Sequence, residues 1–512
     1  QELGEFAEFC QQAFASWKEQ EDRVNNEIME ALSVMQRDNE SIFLYAAHDD
    51  ASLTPLTKNK ELKEFFTNSY LLNQYGIRKG ESCYKTKGVC FVCGKNNVQV
   101  FGNFSILKCY HLNRINLIAG GFSLQNSAHN FPVCADCILD ISDGLEFAEN
   151  ELTSKISGFQ YMALPKALTE NEELNRQIID ELISHYKERQ KTKTLRHIAG
   201  VEKELLEMLD REDVQENVSL LLVFFTKSNA QWSIILEIEE LLPSRIRAIR
   251  EGIEASEETI ARYFYTDSWQ YTFGQLRDVF KVKYAGSSPK LDHKIVQYLE
   301  AVFSDHPVAE SDMLAGGVTS ILGAQREGLR GKQDHSYFVI RNTLATWLFL
   351  NYLQLFHQKG KGDAMDYLDQ FTGPYVDMLR ELSAFFDQPD KAAAFLIGCY
   401  VDSTAYAQSS KRSAVAGSEG GKRGTEPFRK KVIGRKMNPE YLKRLYPEAM
   451  SKLRQYDAFG LVAKDLDPLT AYCIARAGNQ WPSSDDELTL AFCIGMSINN
   501  RIKFQKEDTE HD

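Results

Sequence analysis

Two close cysteine pairs carry the strongest chemical signal in the sequence: Cys90-Phe91-Val92-Cys93 and, forty residues on, Cys134-Ala135-Asp136-Cys137. Each CxxC puts two thiolates on one tight turn, and two such turns supply the four soft donors of a tetrahedral Zn2+ at about 2.3 Å each. Four protein sulfurs leave no open position for water or substrate, so the expected metal is structural rather than catalytic. Gly94 after the first pair suits a knuckle turn. Four free core cysteines, or a thioredoxin-like redox pair, are the alternative readings, and redox motifs rarely come doubled. The long span makes the intervening segment a small module pinned at its ends, so loss of zinc is expected to disorder residues 83–140. Cys83 and Cys109 are rival ligands without CxxC partners, whereas Cys10, Cys399, Cys473 and Cys493 lie in apolar helical text and read as buried hydrophobes.

Within the pinned segment lies GGFSLQNSAHNF, residues 120–131. Gly120 and Gly121 permit close backbone approach to a ligand, and Gln125, Asn126 and Asn130 can exchange hydrogen bonds with base edges. An ordinary polar turn is the alternative. A second feature is charge: Lys411, Arg412, Lys422, Arg423, Arg429, Lys430, Lys431, Arg435, Lys436, Lys443 and Arg444 face only Glu419, Glu426 and Glu440, in a chain of net charge −13. Such a run is commonly a solvated face, but its arginines and the interleaved Phe428 and Tyr441 suit a path for a phosphate backbone. A smaller basic run spans Lys187, Arg189, Lys191, Lys193 and Arg196.

Catalytic signatures fail on inspection. Gly421-Lys422 resembles the end of a P-loop, yet Ala416 replaces the required Gly and Arg423 the required Ser or Thr. His48-Asp49-Asp50 has no second HD pair, and GxSxG, HExxH and GGDD are absent. No catalytic centre is expected.

The elements that must position these residues give an α+β chain. With 512 residues, 43% hydrophobic and 26% charged, several cores can form, and disordered or fibrous classes are excluded. No apolar run is long enough to span a bilayer. The opening QELGEFAEFC lacks the basic and apolar regions of a secretion signal, and with no initial Met the start reads as trimmed. Ten cysteines, with two pairs at metal spacing, fit a reducing cytoplasm. The first seventy residues read as helix. VSLLLVFFTK and QWSIILEIEE, between Val218 and Glu240, flank a short connection and read as a buried hairpin, after which Pro243 opens a basic helix. Further helices are expected over Thr343–His357, Ala364–Phe386, Lys391–Gln408, Pro439–Tyr456, Pro468–Ala477 and Asp485–Lys503. Asn438 before Pro439, and Ser484 with Glu487, are helix-start signals. Residues 409–425, small and Gly/Ser-rich, read as a mobile loop. The expected organisation is an N-terminal α+β domain over 1–290 with a zinc-ribbon-like insertion at 83–140, a helical connection over 291–360 and an all-α bundle over 361–512.

FPVCADC, the preceding GGFS, the hairpin followed by LPSRI, and a tail reading FLIGCY, RGTEPF, LKRLYPEAMSKLRQY and LAFCIGM resemble the large subunit of type I-B CRISPR Cascade complexes. The likeness runs from roughly Ile42 to Asn500, and the amino-terminal end matches the family poorly. The resemblance implies a non-catalytic, cytoplasmic subunit at the foot of a crRNA ribonucleoprotein, bound to backbone and guide-end subunits. It would read the protospacer-adjacent motif in double-stranded DNA, help open the duplex, and recruit a separate helicase–nuclease. It also implies a C-terminal bundle resembling the Cascade small subunit, with small-subunit-like helical proteins as partners and Met365 or Met378 as candidate internal starts. Base pairing to the guide supplies most of the sequence reading, so a small polar probe and a cationic path suffice. On this reading the probe is Gly120, Gly121, Gln125 and Asn126, and the displaced-strand path is Lys411, Arg412, Lys422, Arg423, Arg429, Lys430, Lys431, Arg435 and Lys436. A type III-like signalling or nuclease subunit and a zinc-stapled scaffold binding only proteins are the rival classes.

Overall fold

The structure is a computed structural model that describes residues 60–106, 118, 123–167, 218–228, 231–265, 269–280, 284–285, 288–289, 293–356, 366–415 and 427–509, with a few positions in 15–30 and 173–180. The expected opening helix, the smaller basic run, Cys10, Cys109 and Met365 lie wholly or largely outside these residues. The chain is mixed α+β with a helical C-terminal part, and it divides into two compact units, Gln1–Gly144 and Leu145–Asp512.

In the first unit, α1 (Lys60–Leu71) runs through a short π-helical turn into a hairpin of β1 (Ile77–Arg78) and β2 (Glu81–Ser82). Its two-residue connection, Lys79 and Gly80, has φ of 51° and 79°, the pairing that matches the natural strand twist. Strands β3 (Tyr84–Gly88), β4 (Val98–Phe101) and β5 (Val133–Cys134) form an antiparallel sheet in that order. Helix α2 (Ala135–Glu151) leaves directly from β5. Leu71, Val100, Phe101, Phe104, Val133 and Ile138 bury together with Cys90, Cys134 and Cys137. Gly102, just past β4, is needed for close approach, since a Cβ there would lie 2.3 Å from the Ala128 backbone nitrogen.

The second unit contains one antiparallel sheet in sequence order: β6 (Thr153–Ile156), β7 (Phe159–Ala167), β8 (Val218–Ser228) and β9 (Gln231–Leu241). The expected hairpin is β8–β9, in register from Ser228↔Gln231 to Leu220↔Leu241 with two irregularities. Pro243 stands at the first position of α3 (Pro243–Tyr263), where its missing N–H costs nothing. Helices α4 (Gln275–Phe280), α5 (His293–Ser304), α6 (Glu310–Leu329) and α7 (Ser336–Tyr352) follow. Then come α8 (Pro374–Glu381), α9 (Pro389–Val415), α10 (Pro427–Val432), α11 (Pro439–Gln455), α12 (Gly460–Ala463), α13 (Leu466–Ala477) and α14 (Asp485–Thr509). One apolar core extends from Ala148 to Ile502.

Helix α9 is buried on nearly every face from Ala392 to Val401, as a helix at the centre of a bundle must be. It crosses α14 with almost no side-chain spacing: a Cβ on Gly398 would lie 2.2 Å from the Phe492 carbonyl oxygen, and one on Gly495 2.0 Å from that of Phe395. Both expected caps form. Asn438 accepts the Tyr441 N–H at 2.9 Å, while Ser484 and Glu487 bond each other's backbone N–H groups at 3.3 and 2.8 Å. Glu487 also anchors the buried Lys391 at 3.2 Å.

Two expected elements differ. In place of the single helix expected over Ala364–Phe386, the described residues form a 3₁₀ turn at Asp366–Leu368, non-helical backbone through Gly373 with its φ of 113°, and the short α8 from Pro374. Helix α9 continues past Gln408 to Val415, so Lys411 and Arg412 belong to a helix rather than to the loop expected from Ser409.

Candidate metal centre and nucleic-acid interface

The four CxxC cysteines converge. Sulfur atoms of Cys90, Cys93, Cys134 and Cys137 all lie within 4.8 Å of one another, with Cys93 exposed and the other three buried. The Cys93 and Cys134 sulfurs are 3.8 Å apart, which is the edge of a tetrahedron with about 2.3 Å metal–sulfur bonds. Local backbone produces this arrangement. Gly94, at φ 70°, closes the first turn by donating its N–H to the Cys90 carbonyl at 3.0 Å, and Cys90 donates to Lys95 at 2.9 Å. The second pair straddles the junction of β5 and α2, so Cys137 lies in the first helical turn, where backbone dipoles favour a thiolate. Phe91 donates to the Pro132 carbonyl at 2.8 Å, joining the two turns, and exposed Lys95 and Asp136 pair across them at 3.2 Å.

The donor set fits a cation. Burial opposes ionisation of Cys90, but the N–H groups of Cys93, Cys134 and Val92 outweigh it and bring that thiol down to about 6. The Cys134 N–H points at the Cys90 sulfur at 3.3 Å. Burial pushes Cys134 and Cys137 up instead; the neighbouring thiols reinforce the rise at Cys137, whereas at Cys134 the Cys137 hydrogen bonds oppose it and Cys90 and Cys93 add to it. The Cys90 thiolate forms readily while Cys134 and Cys137 resist ionisation, so a cation among the sulfurs would offset the charge that burial opposes. Cys83 is excluded from the set. Its side chain is buried with Ile118 and Leu124, and its sulfur faces the Glu81 carbonyl. Cys399, Cys473 and Cys493 are buried, as expected of small hydrophobes.

Of the expected reading loop, Gly120 and Gly121 lie outside the described residues. Gln125 and Asn126 open a 3₁₀ turn, Leu124–His129, capped by Ser123, whose hydroxyl accepts the Gln125 N–H at 3.3 Å. Leu124, Ser127 and Ala128 are buried beneath it, which leaves Gln125 exposed and Asn126 half-buried. Beside the turn the Lys85 ammonium reaches His129 Nε2 at 2.8 Å, a cation that the sequence reading passed over because it lies on a different strand.

The structure does not present the basic segment as an uncompensated strip. Lys422 and Arg423 lie outside the described residues, and of Arg412 only the helical backbone is described. Lys411 pairs with Asp457 at 2.9 Å, Lys431 with Glu448 at 2.5 Å and Lys436 with Asp486 at 2.7 Å. Lys430 is exposed on α10, and Arg429 is half-buried there. Arg435 and Arg444 each lie beside the Tyr441 ring, at 6.0 and 5.4 Å from its centroid. Arg435, Lys436, Asn438, Glu440, Tyr441 and Arg444 line a pocket of about 250 Å³ at the start of α11. Arg444 and Tyr441 were legible as charge and as an interleaved aromatic, but joining them to Arg435 takes the helix that folds between them. Among the described residues, no helix is long and apolar enough to cross a membrane.

Comparison with known families gives two matches. Residues 87–241 match the central domain of CRISPR-associated protein TM1802 (cas_TM1802), and residues 271–510 match its C-terminal domain. Together these cover well over half of the chain, with the four cysteines in the first match and the basic helices in the second. No curated protein matches the chain.

Proposed function

Since the chain belongs to the CRISPR-associated protein TM1802 family, we propose that it is the non-catalytic large subunit of a type I-B Cascade complex, a cytoplasmic crRNA-guided surveillance particle. In this reading it recognises the protospacer-adjacent motif in double-stranded DNA, assists duplex opening, holds the displaced strand and recruits a helicase–nuclease. The observation that carries the reading is a match to both family domains in one chain, each holding one of the features such a subunit needs.

The chemistry supports a division of labour. The four-sulfur group holds Zn2+ as a closed structural centre and so fixes β4, β5 and the 3₁₀ turn between them, leaving Gln125 as a rigidly mounted polar probe. Lys85 beside it supplies a charge for a nearby phosphate. On the helical part, Lys411 pairs with the exposed Asp457 and can exchange it for a phosphate, since exposed ion pairs are worth at most about 1 kcal/mol, whereas Lys431 and Lys436 are held by the half-buried Glu448 and Asp486. Guide pairing carries the remaining specificity. The C-terminal helices, in resembling the small subunit, would lie along the guide–target duplex beside small-subunit-like partners.

The test is copurification of the tagged chain from cells expressing its whole operon. A short guide RNA and repeated backbone subunits should accompany it. Recovery of the chain with protein partners and no RNA would support a zinc-stapled scaffold instead, and nuclease or cyclase activity of the particle would support a type III-like subunit.

A further inference from the structure

The pocket at the start of α11 differs from the rest of the basic segment in how its charges are compensated. Lys411, Lys431 and Lys436 each have a carboxylate within 2.9 Å. Arg435 and Arg444 have no carboxylate partner among the described residues; the Tyr441 ring lies beside each guanidinium, and both line the pocket. Such contacts orient a guanidinium without neutralising it or occupying its hydrogen-bonding edge. The Tyr441 hydroxyl is shielded from solvent and has no hydrogen-bond partner among the described residues, an arrangement that normally costs about 1–3 kcal/mol unless an acceptor arrives. At about 250 Å³ the space is several times the share of one liquid water, roughly 30 Å³, and so admits a phosphate with some of its solvent.

The charge balance selects the kind of phosphate. Lys436 is already shared with Asp486 at 2.7 Å, which leaves two guanidiniums against the Glu440 carboxylate in the pocket wall. A net charge near +1 complements a phosphodiester, which carries one negative charge. A terminal phosphomonoester carries between 1.5 and 2 at neutral pH, as phosphorylated side chains do, and Glu440 would oppose the excess. We propose that Arg435 and Arg444, oriented by Tyr441, grip a single internal backbone phosphate of a nucleic-acid single strand, and that Glu440 discriminates against free nucleotides and strand ends. This rests on the strand-holding role proposed above and fixes it to one point on the molecule.

The experiment uses the purified full-length chain and a labelled single-stranded DNA oligonucleotide of mixed sequence, titrated at several salt concentrations. Changing both Arg435→Gln and Arg444→Gln should weaken binding about tenfold and reduce the salt slope by about 0.7, the share of one single-strand phosphate. Glu440→Gln should tighten binding a few-fold, a gain that misfolding cannot produce. Millimolar mononucleotide should fail to displace the oligonucleotide from the wild-type chain but compete measurably against E440Q. Unchanged affinity and slope in the double arginine variant would overturn the proposal, as would displacement by micromolar mononucleotide or an E440Q chain that binds no tighter. If Lys430→Glu weakens binding while the double arginine variant does not, the pocket assignment fails and the strand-holding reading stands. Absence of guide RNA from the purified particle would remove the complex reading and leave these measurements untouched.

Discussion

At the scale of single residues, the proposed base-reading side chain is Gln125. Its backbone is held by Ser123, its neighbours Leu124 and Ser127 are buried, and its own side chain is exposed. Asn126 is half-buried, and so is less free to serve the same purpose. Replacing Gln125 by Ala removes a donor and an acceptor without disturbing the packed side of the turn. We expect Gln125→Ala to leave thermal stability unchanged and to alter the ranking of target motifs by about 1–3 kcal/mol at one position, the worth of a good bidentate base contact. Binding of the assembled particle to a library of motif variants checks this. A uniform loss across all motifs would mean that Gln125 serves affinity, and an unchanged ranking would remove it from the reading site.

At the scale of elements, the crossing of α9 and α14 has the least room for change. The space beside Gly495 is closed by the Phe395 carbonyl oxygen, and that beside Gly398 by the carbonyl of Phe492, both backbone atoms of buried helices. Gly495→Ala gains up to about 1 kcal/mol of helix propensity but must push the helices apart, and overpacking of this kind costs about 1–3 kcal/mol or more. We expect a net destabilisation of at least about 1 kcal/mol in denaturant unfolding. Gly144, exposed in α2 with open space around it, is the control, and Gly144→Ala should stabilise by about 0.5–1 kcal/mol. Equal effects at the two glycines would show that α9 and α14 do not cross so closely. The crossing was not legible in the sequence, because FLIGCY and FCIGM read simply as apolar helix and only the partner helix gives their glycines a purpose. What was legible was local: the two CxxC turns, the β8–β9 hairpin, Pro243 at a helix start, and the Asn438 and Ser484 caps all act over a few residues. The helix start at Gly373-Pro374 was equally local, yet apolar periodicity on both sides hid it. The charge run was legible as composition, but its partners Asp457, Glu448 and Asp486 come from other helices, so the difference between paired and unpaired cations was not.

At the scale of the whole molecule, the two compact units rest on cores of different strength. Among the described residues, the core around the cysteines contains nine buried side chains, three of which belong to the four-sulfur group, whereas the core of the second unit runs from Ala148 to Ile502 and contains none of those sulfurs. A core this small seldom stabilises a fold alone, and small domains commonly depend on a metal for the balance. The binding free energy of a closed four-thiolate zinc site, of order 10 kcal/mol, is comparable with the gross burial of those few side chains before the entropy of ordering the chain is subtracted, so zinc and fold should be lost together. We therefore expect a strong chelator to release one zinc per chain and to abolish hydrogen-exchange protection over 84–101 and 133–138. Protection over 392–401 and 488–498, at the buried crossing of α9 and α14, should persist. Cys93→Ser should give the same local loss without chelator, because the exposed sulfur is the one whose removal leaves the apolar packing intact. If zinc leaves and 84–101 stays protected, the sulfurs do not hold this unit together. If both regions exchange at once, the molecule unfolds as one body and loss of the bound zinc reaches beyond the first unit.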